Sequence, residues 1–381
     1  FARTLYARYQ QLFGREVEVP EDGYPGAYMV DLARAILDEH GDAFLQPPGE
    51  PPPPTLRDLG IEKMLAIISA DLEAMGVRYD VWFRESSLHG AGGPYGAALR
   101  LLQERGYVAE KEGAIWFISS ALGEDKDNVL VRSSGSPTYF ASDIAYHYHK
   151  FLVRGFQRVI DIWGADHQGH VPRMAAAVAA LGVEPERFQV IIGQLVTLRR
   201  GQEVVRISKR SGDIITLREV IDEVGSDACR FFFLTSSPAT AMDFDLELAK
   251  RQSDENPVYY VQYAHARIAG ILNLAQERGI AWTYGDVSLL AEAAELDLVR
   301  KMLMLPEVVE AVARSLQPHH LPHYALELAT AFHDFYERCR VVSSDPRDLS
   351  LSKARLKLVA AAKAVLARTL GLIGVAAPER M

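Results

Sequence analysis

The sequence predicts an α/β nucleotide-binding domain followed by an all-α bundle, and three observations support this fold class. Apolar, strand-like runs alternate with helical patterns in residues 1–215, which is typical of a parallel sheet. From Thr216 to Met381 only helical patterns are found. At 381 residues, 49% of them hydrophobic, the chain is long and apolar enough for more than one domain.

The predicted boundaries follow breaks in these patterns. Proline- and glycine-rich stretches indicate insertions in the first domain at about residues 15–55 and 84–133. A helical linker is predicted at 216–255, and an all-α domain of about five helices at 256–381.

Helical spacing of apolar residues, interrupted by glycine and proline, predicts the helices in chain order. They are 1–13, Asp31–His40, Leu56–Met75, Tyr95–Arg105, Ser142–Leu152, Val171–Leu181 and 256–274, with N-cap residues Thr216 and Ser226 in the linker. The third helix is expected to bury one apolar face, which carries Ile61, Leu65, Ile68 and Leu72.

Short β-branched and aromatic runs predict the strands. Arg158–Trp163 is expected to be buried on both faces, as in a parallel sheet covered by helices. The other strands are Tyr79–Phe83 and Phe188–Ile192, with two strand pairs turning near Glu112-Gly113 and Ser134-Gly135 and a hairpin around Arg200-Gly201-Gln202.

The bulk composition narrows the class of protein. The formal charge of −9 argues against a general coat for nucleic acid, although it leaves room for a local basic face that binds a structured RNA. Cys229 and Cys339 do not form a disulfide framework, which is typical of a reducing cytoplasm. No secretory signal and no membrane-spanning apolar run is found. Because the chain opens with Phe1 inside a helical pattern, we expect its natural N-terminus to lie upstream.

Three side chains beside the predicted sheet could bind a guanidinium. If a helix starts near Ser142, Tyr139 and Asp143 can face one pocket at the carboxyl edge of the sheet, and Gln168 follows the strand Arg158–Trp163. A guanidinium holds its donors in a rigid fork, which suits a carboxylate with aromatic and amide neighbours. The alternative is structural, with Asp143 as a helix N-terminal acid and Tyr139 as a core residue.

Two loops have the composition of a nucleotide site. Gly164-Ala165-Asp166-His167-Gln168-Gly169-His170 follows a strand, where ligands bind in open parallel sheets. Arg206-Ile207-Ser208-Lys209-Arg210-Ser211-Gly212 sets cations beside Ser and Gly, which could surround a polyphosphate. On its own, the second loop would fit a solvated basic turn equally well.

These motifs, in this order, resemble the second half of the catalytic domain of class I aminoacyl-tRNA synthetases, and the whole chain is similar to the arginyl enzymes. The resemblance implies a Rossmann-like class I synthetase domain, incomplete at its N-terminus, and an anticodon-binding helical bundle. It also implies that Tyr139 and Asp143 embrace the guanidinium of arginine and that Gln168 contacts the amino acid.

The resemblance also implies the ATP site. Gly164, Asp166 and His167 would lie under the adenosine. The loop 206–212 resembles the Lys-Met-Ser-Lys-Ser loop of the class, with Arg206, Ile207 and Arg210 as departures. It implies Lys209 and Arg206 as catalytic residues, Ser208 and Lys209 as ATP ligands, and Mg²⁺ on the phosphates. Cations that meet the leaving pyrophosphate only in the transition state lower the barrier to adenylate formation.

The histidines allow two other interpretations. His167-Gln168-Gly169-His170 fits the His-x-Gly-His motif of the class, but in the family that motif follows the first strand, long before the lysine loop. We therefore expect the true motif upstream of Phe1 and this chain alone to be inactive. A zinc-dependent hydrolase is the second interpretation. However, His147 and His149 stand about 200° apart around a helix and cannot both face one ion.

The C-terminal helices suggest an RNA partner. Tyr259, Tyr260 and Tyr263 could stack on the splayed bases of a tRNA loop, or could pack in the bundle core. The implied function is ATP-dependent ligation of arginine to its tRNA through an arginyl-adenylate. The alternative is a non-catalytic tRNA-binding fragment or paralogue. The expected partners are tRNA for arginine, arginine and ATP, with no membrane, for a monomeric cytoplasmic protein.

Overall fold

A computed structural model describes residues 1–90, 92–205 and 215–381 of the chain. The chain forms two compact units. The helical unit comprises Phe1–Arg78, Thr197–Ser237 and Asp243–Met381, and the pocket unit comprises Tyr79–Val196 and Pro238–Met242. The loop residues Arg206, Ser208 and Lys209 lie outside the described residues.

Among the described elements, four α-helices precede the first strand, strands and helices are mixed from β1 to β7, and helices predominate thereafter. The helices are α1 Ala2–Leu12, α2 Tyr28–His40, α3 Pro54–Ala74, α4 Pro94–Glu104, α5 Tyr139–Tyr148, α6 Val171–Ala180, α7 Leu217–Val224, α8 Ser226–Thr235, α9 Leu246–Lys250, α10 Pro257–Glu277, α11 Ala293–Leu303, α12 Leu305–Ser315, α13 His320–Arg338 and α14 Leu349–Leu372. The strands are β1 Val108–Lys111, β2 Ala114–Phe117, β3 Asn128–Val131, β4 Val159–Gly164, β5 Phe188–Gly193, β6 Val196–Arg200, β7 Glu203–Val204 and β8 Met242–Asp245.

The pocket unit begins with an antiparallel sheet in the order β1-β2-β3. The turn predicted at Glu112-Gly113 is confirmed, since both residues have positive φ, 54° and 72°, as a two-residue hairpin loop requires. The second predicted strand pair, around Ser134-Gly135, is partly wrong. Strand β3 pairs with β2, and across the turn that follows β3 only one bridge forms, between Val131 and Pro137. Proline has no N–H with which to continue a ladder.

Helices α4, α5 and α6 pack around one core with this sheet. The rings of Phe117 on β2 and Phe140 on α5 lie 6.1 Å apart at its centre. Helix α5 begins at Tyr139 rather than Ser142, because the Thr138 side chain caps it by accepting from the Ala141 amide at 3.3 Å. It continues into a single π-helical turn, His149–Val153.

A parallel pair, β4 and β5, carries the other side of the pocket unit, and helix α6 makes the crossover between the two strands. Their register runs from Val159 opposite Phe188 to Gly164 opposite Gly193. The expectation that β4 is buried on both faces is wrong, since Ile162 on it is 76% exposed.

The segment Tyr79–Phe83, predicted as a strand, is extended but pairs with no described strand. Its aromatic rings hold it in place instead of a backbone ladder. Tyr79 and Trp82 meet edge to face at 5.3 Å, and Phe83 stacks on Tyr146 at 4.4 Å.

In the helical unit, α1, α2 and the start of α3 share a small core that includes Leu5, Ile36 and Leu56. The apolar face predicted to be buried on α3 is instead largely open, with Ile68 41% exposed. Periodicity identifies an apolar face, but whether a neighbour covers it is decided by tertiary contacts.

The five predicted bundle helices are confirmed as α10 to α14. Asn256 caps α10 by accepting from the Val258 amide at 3.2 Å, and Thr216 caps α7 in a capping box with Glu219. Ser226 is wrong as an N-cap, because Gly225 occupies that position of α8. Strand β8 corrects the expectation that only helices follow Thr216.

The end of the chain is bound to earlier helices of the same unit. Arg230 on α8 donates to the Met75 carbonyl at the end of α3 and to the Ile373 carbonyl after α14, both at 2.8 Å. Asp227, one helical turn earlier, accepts from the Ala376 amide at 3.2 Å. These bonds satisfy carbonyls that helix C-termini would otherwise leave unpaired.

Candidate active site

A cavity of about 520 Å³ lies within the pocket unit, beside the carboxyl end of β4. Ligands of open parallel sheets bind at this end of the strands, because the following turns and helix N-termini converge there. Its lining comes from the segment before α4, from α5, from β4 and from the turn after β4: Tyr79, Asp143, Tyr146, His147, Lys150, Ile160, Asp161, Ile162, Trp163, His167 and His170.

Asp143 is the predicted guanidinium ligand that lines this cavity. Burial by the surrounding walls raises the pKa of its carboxyl, although the side chain is still exposed at the rim. The positive charges of His147 and Arg173 act against this rise, and the acids Glu85 and Asp161 add to it. Among the residues that the structure describes, none donates a hydrogen bond to the Asp143 carboxylate, which leaves it available to a cation.

The two predicted neighbours of Asp143 are placed differently. Tyr139 opens α5 with 81% of its surface exposed, so it is not a core residue. Gln168 is also exposed, in the 3₁₀ turn Ala165–His170. Neither is among the described residues that line the cavity. The shared pocket of Tyr139, Asp143 and Gln168 therefore stays a prediction.

The turn after β4 carries the predicted adenosine site. Strand β4 ends at Gly164, where a Cβ would lie 2.8 Å from the Asp166 carboxylate, so the tight turn favours glycine. Asp166 and His167 are exposed, with Nε2 of His167 3.6 Å from the Asp166 carboxylate. The rings of His167 and His170 lie 5.6 Å apart, and both line the cavity. This turn offers a carboxylate and imidazoles to a ligand at the strand end.

Sequence reasoning missed the partner of His147. Asp161 on β4 is 8% exposed and accepts hydrogen bonds from His147 Nε2 at 2.8 Å and Lys150 Nζ at 2.7 Å. Burial alone would raise the pKa of Asp161, but these two partners outweigh it and lower the pKa. An acid between Ile160 and Ile162 in an apolar run was the available signal, because buried carboxylates are almost always paired.

The zinc interpretation meets no support in this geometry. His147 is bonded to Asp161 and His149 lies against the Phe83 ring at 5.0 Å. Within residues 1–90, 92–205 and 215–381, no three His, Cys, Asp or Glu side chains are grouped so as to hold a metal ion.

The predicted tRNA-binding tyrosines form an aromatic surface on α10. All three are half-buried, so none is a full core residue. Tyr259 and Tyr263 stack at 6.1 Å, and Tyr260 lies 4.8 Å from the His333 ring. Arg267 donates to the Tyr263 hydroxyl at 2.7 Å and also covers its ring. Partly exposed rings beside a guanidinium offer stacking faces to a planar ligand.

None of the described helices combines the length and apolar character that a bilayer crossing requires.

The predicted hairpin around Arg200-Gly201-Gln202 is confirmed as β6 and β7, which pair Arg200 with Glu203. The predicted phosphate loop that follows lies outside the described residues.

Comparison with known proteins agrees with this architecture. The family model "tRNA synthetases class I (R), catalytic domain" matches residues 61–233, and the model "DALR anticodon binding domain" matches residues 261–381. The arginine–tRNA ligase of Dehalococcoides mccartyi is 58% identical over 381 residues, covering 100% of this chain and 68% of the relative. That of Carboxydothermus hydrogenoformans is 50% identical over 384 residues, with coverage of 100% and 68%.

A solved structure supports the same assignment. The crystal structure of an arginyl-tRNA synthetase from Campylobacter jejuni superposes with a TM-score of 0.88 at 32% identity, covering 100% of this chain and 81% of that one. Fold and site thus define a class I aminoacyl-tRNA synthetase with a helical anticodon-binding domain. Within that class, the chain belongs to the arginine–tRNA ligase family.

Proposed function

We propose that this chain catalyses the ATP-dependent attachment of arginine to its tRNA through an arginyl-adenylate. Family membership supports the reaction, and one observation supports arginine as the substrate. The cavity at the end of β4 presents the Asp143 carboxylate without a protein partner among the described residues. A guanidinium is the cation whose fork of donors matches a carboxylate best.

In the proposed arginine pocket, Asp143 and Tyr139 embrace the guanidinium, and Gln168 contacts the amino acid. Two observations support this arrangement. Tyr139 lies one helical turn before Asp143 on α5, and Gln168 belongs to the same short turn as the cavity residue His167. Both side chains are exposed and can reorient when a ligand enters.

In the proposed ATP site, Gly164, Asp166 and His167 hold the adenosine, because they follow the strand end where nucleotides bind. Lys209, Arg206 and Ser208 act on the phosphates. The arginine carboxylate attacks the α-phosphorus and pyrophosphate leaves, and cations that follow the leaving charge lower the barrier.

Mg²⁺ is proposed to enter with ATP. Since no three ligating side chains are grouped for a metal within the described ranges, we assign no described residue to the ion. Mg²⁺ keeps several waters and is usually bound through substrate phosphates, where it would neutralise part of their charge.

The tRNA is proposed to bind through Tyr259, Tyr260 and Tyr263 on α10, supported by their half-exposed rings beside Arg267. Anticodon-loop bases can splay out and stack on such rings. We also propose a monomer in the cytoplasm, and domains at 1–215 and 256–381 joined by a linker at 216–255.

The proposal is tested by charging tRNA with radiolabelled arginine, with lysine as the control amino acid. The assay uses this chain alone and also the chain completed to the length of its relatives, of which it spans 68%. The completed chain should attach arginine and not lysine, and this chain alone is expected to be inactive. Asp143→Asn should abolish charging at low arginine concentrations, whereas Asp38→Asn, at an exposed acid on α2, should have no effect.

Two results would contradict the proposal. If lysine is charged as well as arginine, the pocket is not selective for a guanidinium. If both forms bind tRNA but neither charges it, the chain belongs to a non-catalytic tRNA-binding protein.

A further inference from the structure

A buried group of charges forms the inner wall of the cavity, made of Asp161, His147 and Lys150 and called here the Asp161 cluster. Each oxygen of the Asp161 carboxylate accepts from one side chain, His147 Nε2 at 2.8 Å and Lys150 Nζ at 2.7 Å. The Lys150 ammonium also lies 4.2 Å above the centre of the Tyr146 ring. Unlike Asp143, Asp161 therefore already has a cationic partner within the protein.

His147 connects this cluster to Asp143. Its second ring nitrogen, Nδ1, lies 2.7 Å from the backbone carbonyl of Asp143. Both ring nitrogens of His147 therefore have an oxygen partner, one on strand β4 and one on helix α5. The helical turn that bears Asp143 is thereby tied to strand β4.

The two carboxylates of the cavity consequently have different roles. Within the Asp161 cluster, the Asp161 carboxylate forms an ion pair with the Lys150 ammonium, and these two charges cancel. The Asp143 carboxylate has no such partner among the described residues. Glu85 and Arg173, which also act on Asp143, oppose each other in sign.

We propose that Asp161 is a positioning residue of the arginine site, which neutralises Lys150 and so prevents its ammonium from repelling the substrate guanidinium. This inference rests on the proposed function, because it takes Asp143 as the guanidinium ligand. Without the Asp161 charge, an unbalanced ammonium would face a cationic substrate across the cavity. The inference thus concerns the charge of Asp161 and not only its hydrogen bonds.

Three variants test the inference by calorimetric titration with L-arginine. Asp161→Asn keeps the shape of the side chain and raises the net charge of the cluster by one. Lys150→Met keeps the length of the side chain and lowers the charge by one. The double variant restores the original net charge. Thermal melts show which variants are folded.

The two single variants are expected to change the affinity for arginine in opposite directions. Asp161→Asn should weaken arginine binding roughly tenfold, the order of effect of one uncompensated charge across a partly solvated cavity. Lys150→Met should tighten binding severalfold, and the double variant should return to within about threefold of the wild type. In charging assays, Asp161→Asn should raise the KM for arginine and leave kcat and the KM for ATP near their original values.

A structural role alone would give another pattern. If both single variants weaken binding and the double variant is worse than either, the inference is overturned. If Asp161→Asn does not fold, Lys150→Met decides, and unchanged or weaker binding overturns the inference. The failure of the proposed function would be visible separately, because the wild type would then not bind arginine.

Discussion

Replacing Asp143 by asparagine tests the arginine pocket most directly. The substitution keeps the shape of the side chain and removes the one carboxylate of the cavity that has no partner among the described residues. A charge pair at about 4 Å contributes ~1 kcal/mol in water and ~4 kcal/mol at an effective dielectric constant of about 20. Asp143 lies at an open rim, so an intermediate loss of about 2–3 kcal/mol is expected, or roughly 30–150-fold in the Kd for arginine.

The assay is calorimetric titration of L-arginine at neutral pH, with Asp38→Asn as the matched control. A Kd for the Asp143→Asn variant within about threefold of the wild type would refute the pocket, because a neutral amide cannot replace a carboxylate at so small a cost. An equal loss in the Asp38→Asn control would indicate a general change of charge instead.

The same variant also has a consequence for stability, with a defined sign. Burial raises the pKa of Asp143 above its ordinary value, so its charged form is disfavoured in the folded protein. The favourable contribution of this carboxyl is complete below its unfolded pKa and is lost as the pH rises through its folded pKa. Asp143→Asn should therefore increase the free energy of unfolding at neutral pH without ligand, and the gain should vanish in acid.

Three further outcomes are expected. Tyr263→Ala should weaken tRNA binding by about 1–3 kcal/mol in a filter-binding assay, with arginine binding unchanged, because it removes a stacking face. Gly374→Ala should lower the free energy of unfolding in urea by about 1–3 kcal/mol, since Gly374 has φ 71° and a Cβ there would meet a guanidinium. Cys229 and Cys339 should not react with a thiol reagent at pH 8 until the protein is denatured, because burial raises the pKa of Cys229 to about 11 and also raises that of Cys339.

Each of these has a control and a contradicting result. Tyr284→Ala, at a tyrosine 96% exposed on the bundle, should not change tRNA affinity, and equal losses in the two variants would remove the aromatic surface as the binding site. Gly371→Ala has open space around the added Cβ and should not destabilise α14, so similar losses at Gly371 and Gly374 would contradict the backbone argument. Rapid reaction of either thiol in the native protein would contradict its burial.

Local signals predicted much of the fold. Thr216 caps a helix as expected, because a capping side chain acts within three residues of itself. The hairpin turn at Glu112-Gly113 is equally local. The predictions of a strand at Tyr79–Phe83 and of a buried apolar face on α3 were wrong, because strand pairing and helix burial depend on elements distant in the chain. A strand-like sequence forms a β-strand only where another strand is available for backbone pairing.

Some features of the candidate site could likewise be predicted from the sequence, and others could not. Asp143 was proposed for its carboxylate and its spacing after Tyr139, and it lines the cavity. The bond between His147 and Asp161 joins residues 14 apart on a helix and a strand, and no periodicity indicates such a pair. Tyr139 and Gln168 were proposed on the same grounds as Asp143, but their side chains are exposed and are not part of the described cavity lining, because sequence spacing does not determine the direction of a side chain.

The contacts of Arg230 affect the order in which the chain can fold during synthesis. Its guanidinium donates to the Met75 and Ile373 carbonyls, so the end of α3 gains this hydrogen-bond donor from a residue 155 positions later in the chain. Until the segment around Ile373 and Ala376 leaves the ribosome, Arg230 and Asp227 each lack one hydrogen-bond partner. Removing this segment should therefore loosen α8 as well as the bundle, and α8 of a nascent chain should reach its final packing only after residues 373–376 emerge.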